Sequence, residues 1–177
     1  MLLVYFVIGA IPLGYLMGGR LSNCMKAPLK FLYLPCIALL IEASFGLITE
    51  RIPLPPSIWL KYAVGAEYIA LFLFTWFNRR LRGIKLLFLA TLTNFAVISA
   101  NGFRMPVTPL IYENPNLMHF VERIESGALP EYVLVGWDAP LWFLGDTLAM
   151  FGGLASVGDL LMAAAMLVII ISLMKTK

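Results

Sequence analysis

Five apolar stretches, at about 2–19, 31–49, 57–77, 84–100 and 154–174, constrain this chain more than any other feature. Each is bounded by charge, Pro or Gly, and each is apolar on all sides of a helix rather than along one stripe. A bilayer core takes roughly 20 such residues in a helix. With 61% apolar and 13% charged residues, the sequence lies far from the soluble globular range. The expected fold is therefore all-α: a polytopic membrane helical bundle of about five transmembrane helices, forming a single membrane domain over 1–177. No basic segment precedes the first stretch and no small-residue cleavage pattern follows it, so 2–19 reads as a span rather than a removed signal peptide.

Orientation follows from Lys and Arg, which stay on the cytoplasmic side of short loops. With the N-terminus outside, Arg20, Lys26, Lys30, Arg79, Arg80, Arg82, Lys85, Lys175 and Lys177 all face inward, nine of 13 basic residues. The acidic residues divide in the opposite sense. Glu50, Glu113, Glu122, Glu125, Glu131, Asp138 and Asp146 fall outside, and Glu42, Glu67 and Asp159 fall within spans. The C-terminus is thus expected in the cytoplasm.

One long connection, 101–153, separates the last two spans, and loops of that length carry function or structure of their own. Leu117, Phe120, Val121 and Ile124 recur at helical spacing after Asn114-Pro115 and before Gly127. They predict a short amphipathic helix on the outer membrane surface or on the bundle. The run 132–143, with Trp137, Trp142, Gly136 and Pro140, is too short to cross and suits an interfacial or partly re-entrant segment.

Ionisable groups inside a bilayer are costly, which makes Glu42, Glu67 and Asp159 candidates for function, weighed against protonation or packing hydrogen bonds. Asp159 is expected one to two turns below the outer surface, Glu42 in the outer half of its helix and Glu67 near mid-depth. Asn94, Asn101, Arg104 and Asp146 share the outer end with Asp159, so these five residues form the candidate ligand-binding group. Arg104 offers a forked guanidinium that pairs with a carboxylate or an anionic headgroup, or serves as a plain interfacial anchor. At the inner end Gly18-Gly19-Arg20-Leu21-Ser22-Asn23 reads as a helix stop with capping side chains. Ala10, Gly14 and Gly18 make a smooth face for close helix approach.

Familiar catalytic patterns are missing. His119 is the only histidine, and no nucleophile elbow, paired-histidine metal motif or phosphate loop occurs. Cys24 and Cys36 suggest neither a disulfide framework nor a metal site. No residue is assigned to catalysis or to a metal, and no cofactor is identified. Basic residues are not interleaved with aromatics, which argues against nucleic acid.

The segments Gly18-Gly19-Arg20-Leu21-Ser22-Asn23, Asn101-Gly102-Phe103-Arg104-Met105-Pro106-Val107, Phe143-Leu144-Gly145-Asp146 and Ser156-Val157-Gly158-Asp159-Leu160-Leu161 resemble those of the DUF5317 family of bacterial membrane proteins. The likeness runs over nearly the whole chain. It implies a bacterial plasma membrane and supplies no substrate. Three functions remain in view. One is a bundle that binds or transports a small molecule, ion or lipid headgroup in an outward-facing polar pocket. Another is a non-catalytic subunit or assembly factor that meets a membrane protein partner, or its own copy, through the small-residue face of the first helix and the surface helix at 117–124. The last is a membrane-embedded enzyme using Asp146 and Asp159, the least supported of the three.

Overall fold

Where each apolar stretch becomes helix is decided at its ends. In a computed structural model, which describes residues 2–27, 29–49, 51, 55–150 and 153–175, seven α-helices occur among the described residues. They are α1 (Leu2–Leu16), α2 (Leu21–Cys24), α3 (Tyr33–Thr49), α4 (Pro56–Phe77), α5 (Ile84–Ala100), α6 (Met118–Glu125) and α7 (Val157–Met174). Glu50, Lys177 and residues 151–152 of the long connection lie outside the described residues. Ile58–Phe77 and Val157–Met174 are long and apolar enough to cross a membrane, and the other three long helices are shorter apolar segments.

The first apolar stretch reaches residue 19, yet α1 ends at Leu16. Gly18 takes φ +80°, and the Gly19 amide donates to Gly14 O at 2.8 Å, the 6→1 bond of a glycine-terminated helix. The chain then turns under the end of α7, where the Arg20 amide and Asn23 Nδ2 both donate to Met174 O, at 2.8 and 2.9 Å. Ala10 and Gly14 are buried against α7, and a Cβ on Gly14 would meet Met174 Cε at 2.7 Å. Gly18 is exposed, so the small-residue face expected at Ala10, Gly14 and Gly18 continues instead through buried Gly19. It is used within the chain.

α7 lies between α1 and α5, α3 packs along α4, and a thinner contact joins α4 to α5. Gly83, at φ +87°, opens α5 and lets it approach α7, where an added Cβ would meet Ile169 Cγ1 at 2.8 Å. At the same end the buried Asn78 closes α4. Its amide accepts from the Lys30 amide and donates to Lys30 O and Phe74 O, each at 2.9 Å, which pins the chain before α3 to the end of α4.

Residues 101–150 and 153–156 form a cap over the opposite end. Four short strands lie within it, the departure from an all-helical chain: β1 (Met105–Val107), β2 (Tyr132–Leu134), β3 (Leu148–Met150) and β4 (Gly153–Ala155). β1 pairs with β2 in parallel and β3 with β4 as an antiparallel hairpin. The amphipathic helix expected around 117–124 is present as α6, but its apolar face does not lie on the membrane surface or the bundle. Leu117 and Val121 are buried with Val107 and Ile111, and Phe120 and Ile124 pack on them, because the cap has strands and 3-10 turns of its own to cover. The run 132–143 supplies β2 and leads into the 3-10 turn Trp142–Leu144, with the Trp137 and Trp142 rings edge to face at 5.0 Å.

Candidate functional site

β4 occupies residues at which the last apolar stretch begins, so α7 starts at Val157 and Asp159 stands in its first turn rather than deeper in the helix. Ser156 is the N-cap. Its hydroxyl accepts from the Asp159 amide at 3.0 Å, and Asp159 Oδ2 accepts from the Ser156 amide at 3.0 Å, a reciprocal capping box. α5 joins this cap through Asn94. The Asn94 amide donates to Asp159 Oδ1 at 3.0 Å, and the Ser156 hydroxyl donates to Asn94 Oδ1 at 2.9 Å. Gly158 makes room for it, since a Cβ there would lie 2.5 Å from Asn94 Cγ. Both oxygens of Asp159 are therefore engaged, and the carboxylate also complements the amino end of the α7 dipole.

This network forms one wall of a cavity of about 370 Å³ between the helices and the cap. Glu42 enters it from α3, Glu67 and Tyr68 from α4, and Asn94 from α5. The cap contributes Glu131, Tyr132 and Asp146. Five carboxylates line the space, and among the described residues no Lys, Arg or His does. Phe45, Phe103 and Ile98 are among the apolar lining. Phe103 has φ +62°, a left-handed backbone that costs a bulky residue about 1–3 kcal/mol. The turn is held by the Phe103 amide donating to Ile98 O at 2.9 Å, which carries the chain from α5 into β1.

Asp146 is only 5% exposed, and its Oδ1 has no hydrogen-bond donor. Burial, and then the negative charge of Asp159, push its carboxyl up to about 8. Burial also raises Glu131, whose Oε2 is likewise buried without a donor, and it raises the Tyr132 phenol. An unpaired buried carboxylate oxygen is expensive to maintain. Chemically, Asp146 can hold or release a proton near neutral pH, whereas Asp159 is committed to the helix cap. Among the described residues no group of three or more His, Cys, Asp or Glu is arranged to hold a metal ion.

Of the five residues the sequence grouped, Asn94, Asp146 and Asp159 line the cavity, and Asn101 and Arg104 do not. Asn101 Nδ2 donates to Val97 O and Pro140 O, both at 2.8 Å, which closes α5 and ties down the cap. Glu42 and Glu67, singled out for their place in apolar helices, face the same space. Glu131 and Tyr132 carried no local signal. They arrive through the parallel pairing of Met105 with Tyr132, backed by the Met105 amide donating to Glu131 O at 2.7 Å.

Residues 26–171 match the family of unknown function DUF5317. The chain belongs to that family. The DUF5317 match contains every cavity-lining residue except Leu2 and Leu3. An uncharacterized protein of Thermotoga maritima is 32% identical over 89 residues, an alignment covering 50% of this chain and 45% of the relative. The DUF5317 chain thus spans about half the length of that curated relative. No solved structure matches it.

Proposed function

We propose that this chain is a five-span protein of a bacterial plasma membrane, N-terminus outside and C-terminus in the cytoplasm, whose outer end binds a small ligand between the helices and the cap. The cavity, with buried carboxylate oxygens that lack donors, is the observation that carries the reading. Acidic side chains from three helices and the cap converge on one roomy, partly apolar space, and two of them, Glu131 and Asp146, are not fully satisfied by protein donors.

The membrane part draws support from the helix surfaces. Only 44% of the apolar window in α4 and 33% of that in α7 is buried inside the protein, whereas the core helix of a soluble protein is covered on most sides. Leu16, Leu39, Leu40, Ile69 and Trp76 point outward with more than half their surface free. A bilayer satisfies such a surface and water does not. Arg20, Lys30, Arg79 and Gly83 gather at the end where the Met174 and Asn78 contacts close the bundle, the basic end that the positive-inside rule assigns to the cytoplasm. The two docking surfaces that favour a subunit role, the small-residue face of α1 and the apolar face of α6, are already covered by α7 and by the cap core.

The test uses the full chain in inverted and right-side-out vesicles, with Cys24 and Cys36 replaced by Ser. A cysteine at Arg80 is expected to react with a membrane-impermeant maleimide only in inverted vesicles, and one at Glu125 only in right-side-out vesicles. Reaction of both from the same side removes the topology. For the pocket, a cysteine at Met105 should react with a small cationic methanethiosulfonate from outside, and bulky modification there should change ligand-dependent thermal stability. A Met105 cysteine that reacts with no small reagent from outside removes the pocket.

A further inference from the structure

Resting on that pocket reading, we infer that its ligand is an organic cation with more than one ammonium nitrogen, an aliphatic polyamine rather than a metal ion, an anion or a phosphate headgroup. The charge of the lining sets the sign. Five acidic side chains line the space and, among the described residues, no basic one does, so the lining offers an anion no counter-charge, whereas a bound cation favours the ionised form of each carboxyl. Asp159 spends both oxygens on protein donors, and among the described residues no other of the five does. Asp146 and Glu131 each keep one oxygen, packed against protein, with no donor, so neither carboxyl is satisfied by the protein alone as Asp159 is, and each side chain still borders the space where an ammonium group can donate to it.

The lack of a close acidic group among the described residues selects against a bare ion. A divalent metal draws its oxygens into one shell at about 2.0–2.6 Å, and among the described residues no three acidic groups come together in that way. They are distributed instead: Glu42 on α3, Glu67 on α4, Glu131 beside β2 and Asp146 in the cap. A cation that answers all four carries its charge at several points along a chain. Between them lie Phe45, Phe103, Tyr68, Tyr132, Val64 and Ile98, a lining that accepts methylene groups and offers ring faces to ammonium. A cavity of about 370 Å³ falls within the range of about 300–1,000 Å³ common for small-molecule sites, which admits a short polyamine.

The experiment is saturation binding of radiolabelled spermidine and 1,4-diaminobutane to the full chain in lipid nanodiscs at pH 8. Competition uses magnesium, inorganic phosphate, tetramethylammonium and vesicles containing phosphatidylglycerol. Saturable polyamine binding is expected, weakened tenfold or more by E67Q and by E131Q, with phosphate and anionic vesicles without effect. E131Q sits at a partly exposed cap position, so its folding is checked by an unchanged melting temperature without ligand. Absence of polyamine binding, while a Met105 cysteine still reacts with small reagents from outside, overturns the ligand class and leaves the pocket intact. Magnesium displacing spermidine at equal or lower concentration, or binding undiminished in E67Q and E131Q together, overturns the assignment as well. A Met105 cysteine closed to all reagents marks failure of the pocket reading itself.

Discussion

Asp146→Asn tests the energetic account of the cavity most directly. Burial and Asp159 lift the Asp146 carboxyl from 3.8 to about 8. The folded protein therefore keeps a proton that the unfolded chain gives up between about pH 4 and pH 8. Stability linked to this residue is fully present below pH 3.8 and is lost as pH rises through about 8. At about 1.4 kcal/mol per pH unit, the accumulated loss reaches about 5 kcal/mol by pH 8. Asparagine at 146 is neutral throughout and close in shape. Wild type and Asp146→Asn should match near pH 4, and the variant should gain progressively up to pH 8–9, where the gap is several kcal/mol. At about 2–4 °C per kcal/mol for a chain of this size, that is a melting-temperature difference of about 10 °C or more. Thermal unfolding in detergent from pH 4 to pH 9, followed by intrinsic tryptophan fluorescence, measures it. Other titrating groups act on both proteins alike and drop out of the difference. A gap that does not change with pH, or a variant less stable than wild type at pH 9, refutes the reasoning.

Three further outcomes follow from the same contacts. Ser156→Ala removes the N-cap acceptor and the donor to Asn94 at a fully buried position, and should cost about 1–2 kcal/mol in thermal or denaturant unfolding. Gly158→Ala forces a Cβ into Asn94 and to 2.9 Å from Thr93 Oγ1, an overpacking worth about 1–3 kcal/mol. Adding Asn94→Ala should recover part of that loss, and strict additivity of the two in a double-mutant cycle would disprove the contact. Asn78→Ala breaks two hydrogen bonds between α4 and the chain before α3, and a third that closes the end of α4 on Phe74 O. It should lower stability by about 2–3 kcal/mol, against about 0.5 kcal/mol or less for exposed Arg80→Ala.

Much of the helical layout was legible in the sequence because hydropathy and glycine chemistry are local. The positions of α3, α4 and α5 and the turn at Gly18-Gly19 follow from neighbouring residues alone. The errors arose where distant segments compete for the same residues. Gly153–Ala155 is apolar enough to extend α7, yet it pairs with Leu148–Met150, which moves the helix start and turns Asp159 into a capping residue. Gly19 rather than Gly18 meets α7, because the left-handed residue at Gly18 rotates the small-residue face by one position. The cavity was half legible. Asn94, Asp146 and Asp159 share one end of the bundle by their order along the chain. Glu131 joins them only because β1 pairs in parallel with a strand some 25 residues later, and that register has no short-range signature.

The uneven packing of the helices has a mechanical consequence. The cap is continuous with α5 through β1 and with α7 through β4, and those two helices lie tightly together. α3 and α4 pack mainly on each other and meet α5 along a thin seam. The acidic side chains are shared between the halves: Glu42 and Glu67 on one, Glu131, Asp146 and Asp159 on the other. A molecule gripped by both would act as a rivet across the seam, tying the α3–α4 pair to the capped body more firmly than the thin contact with α5 does.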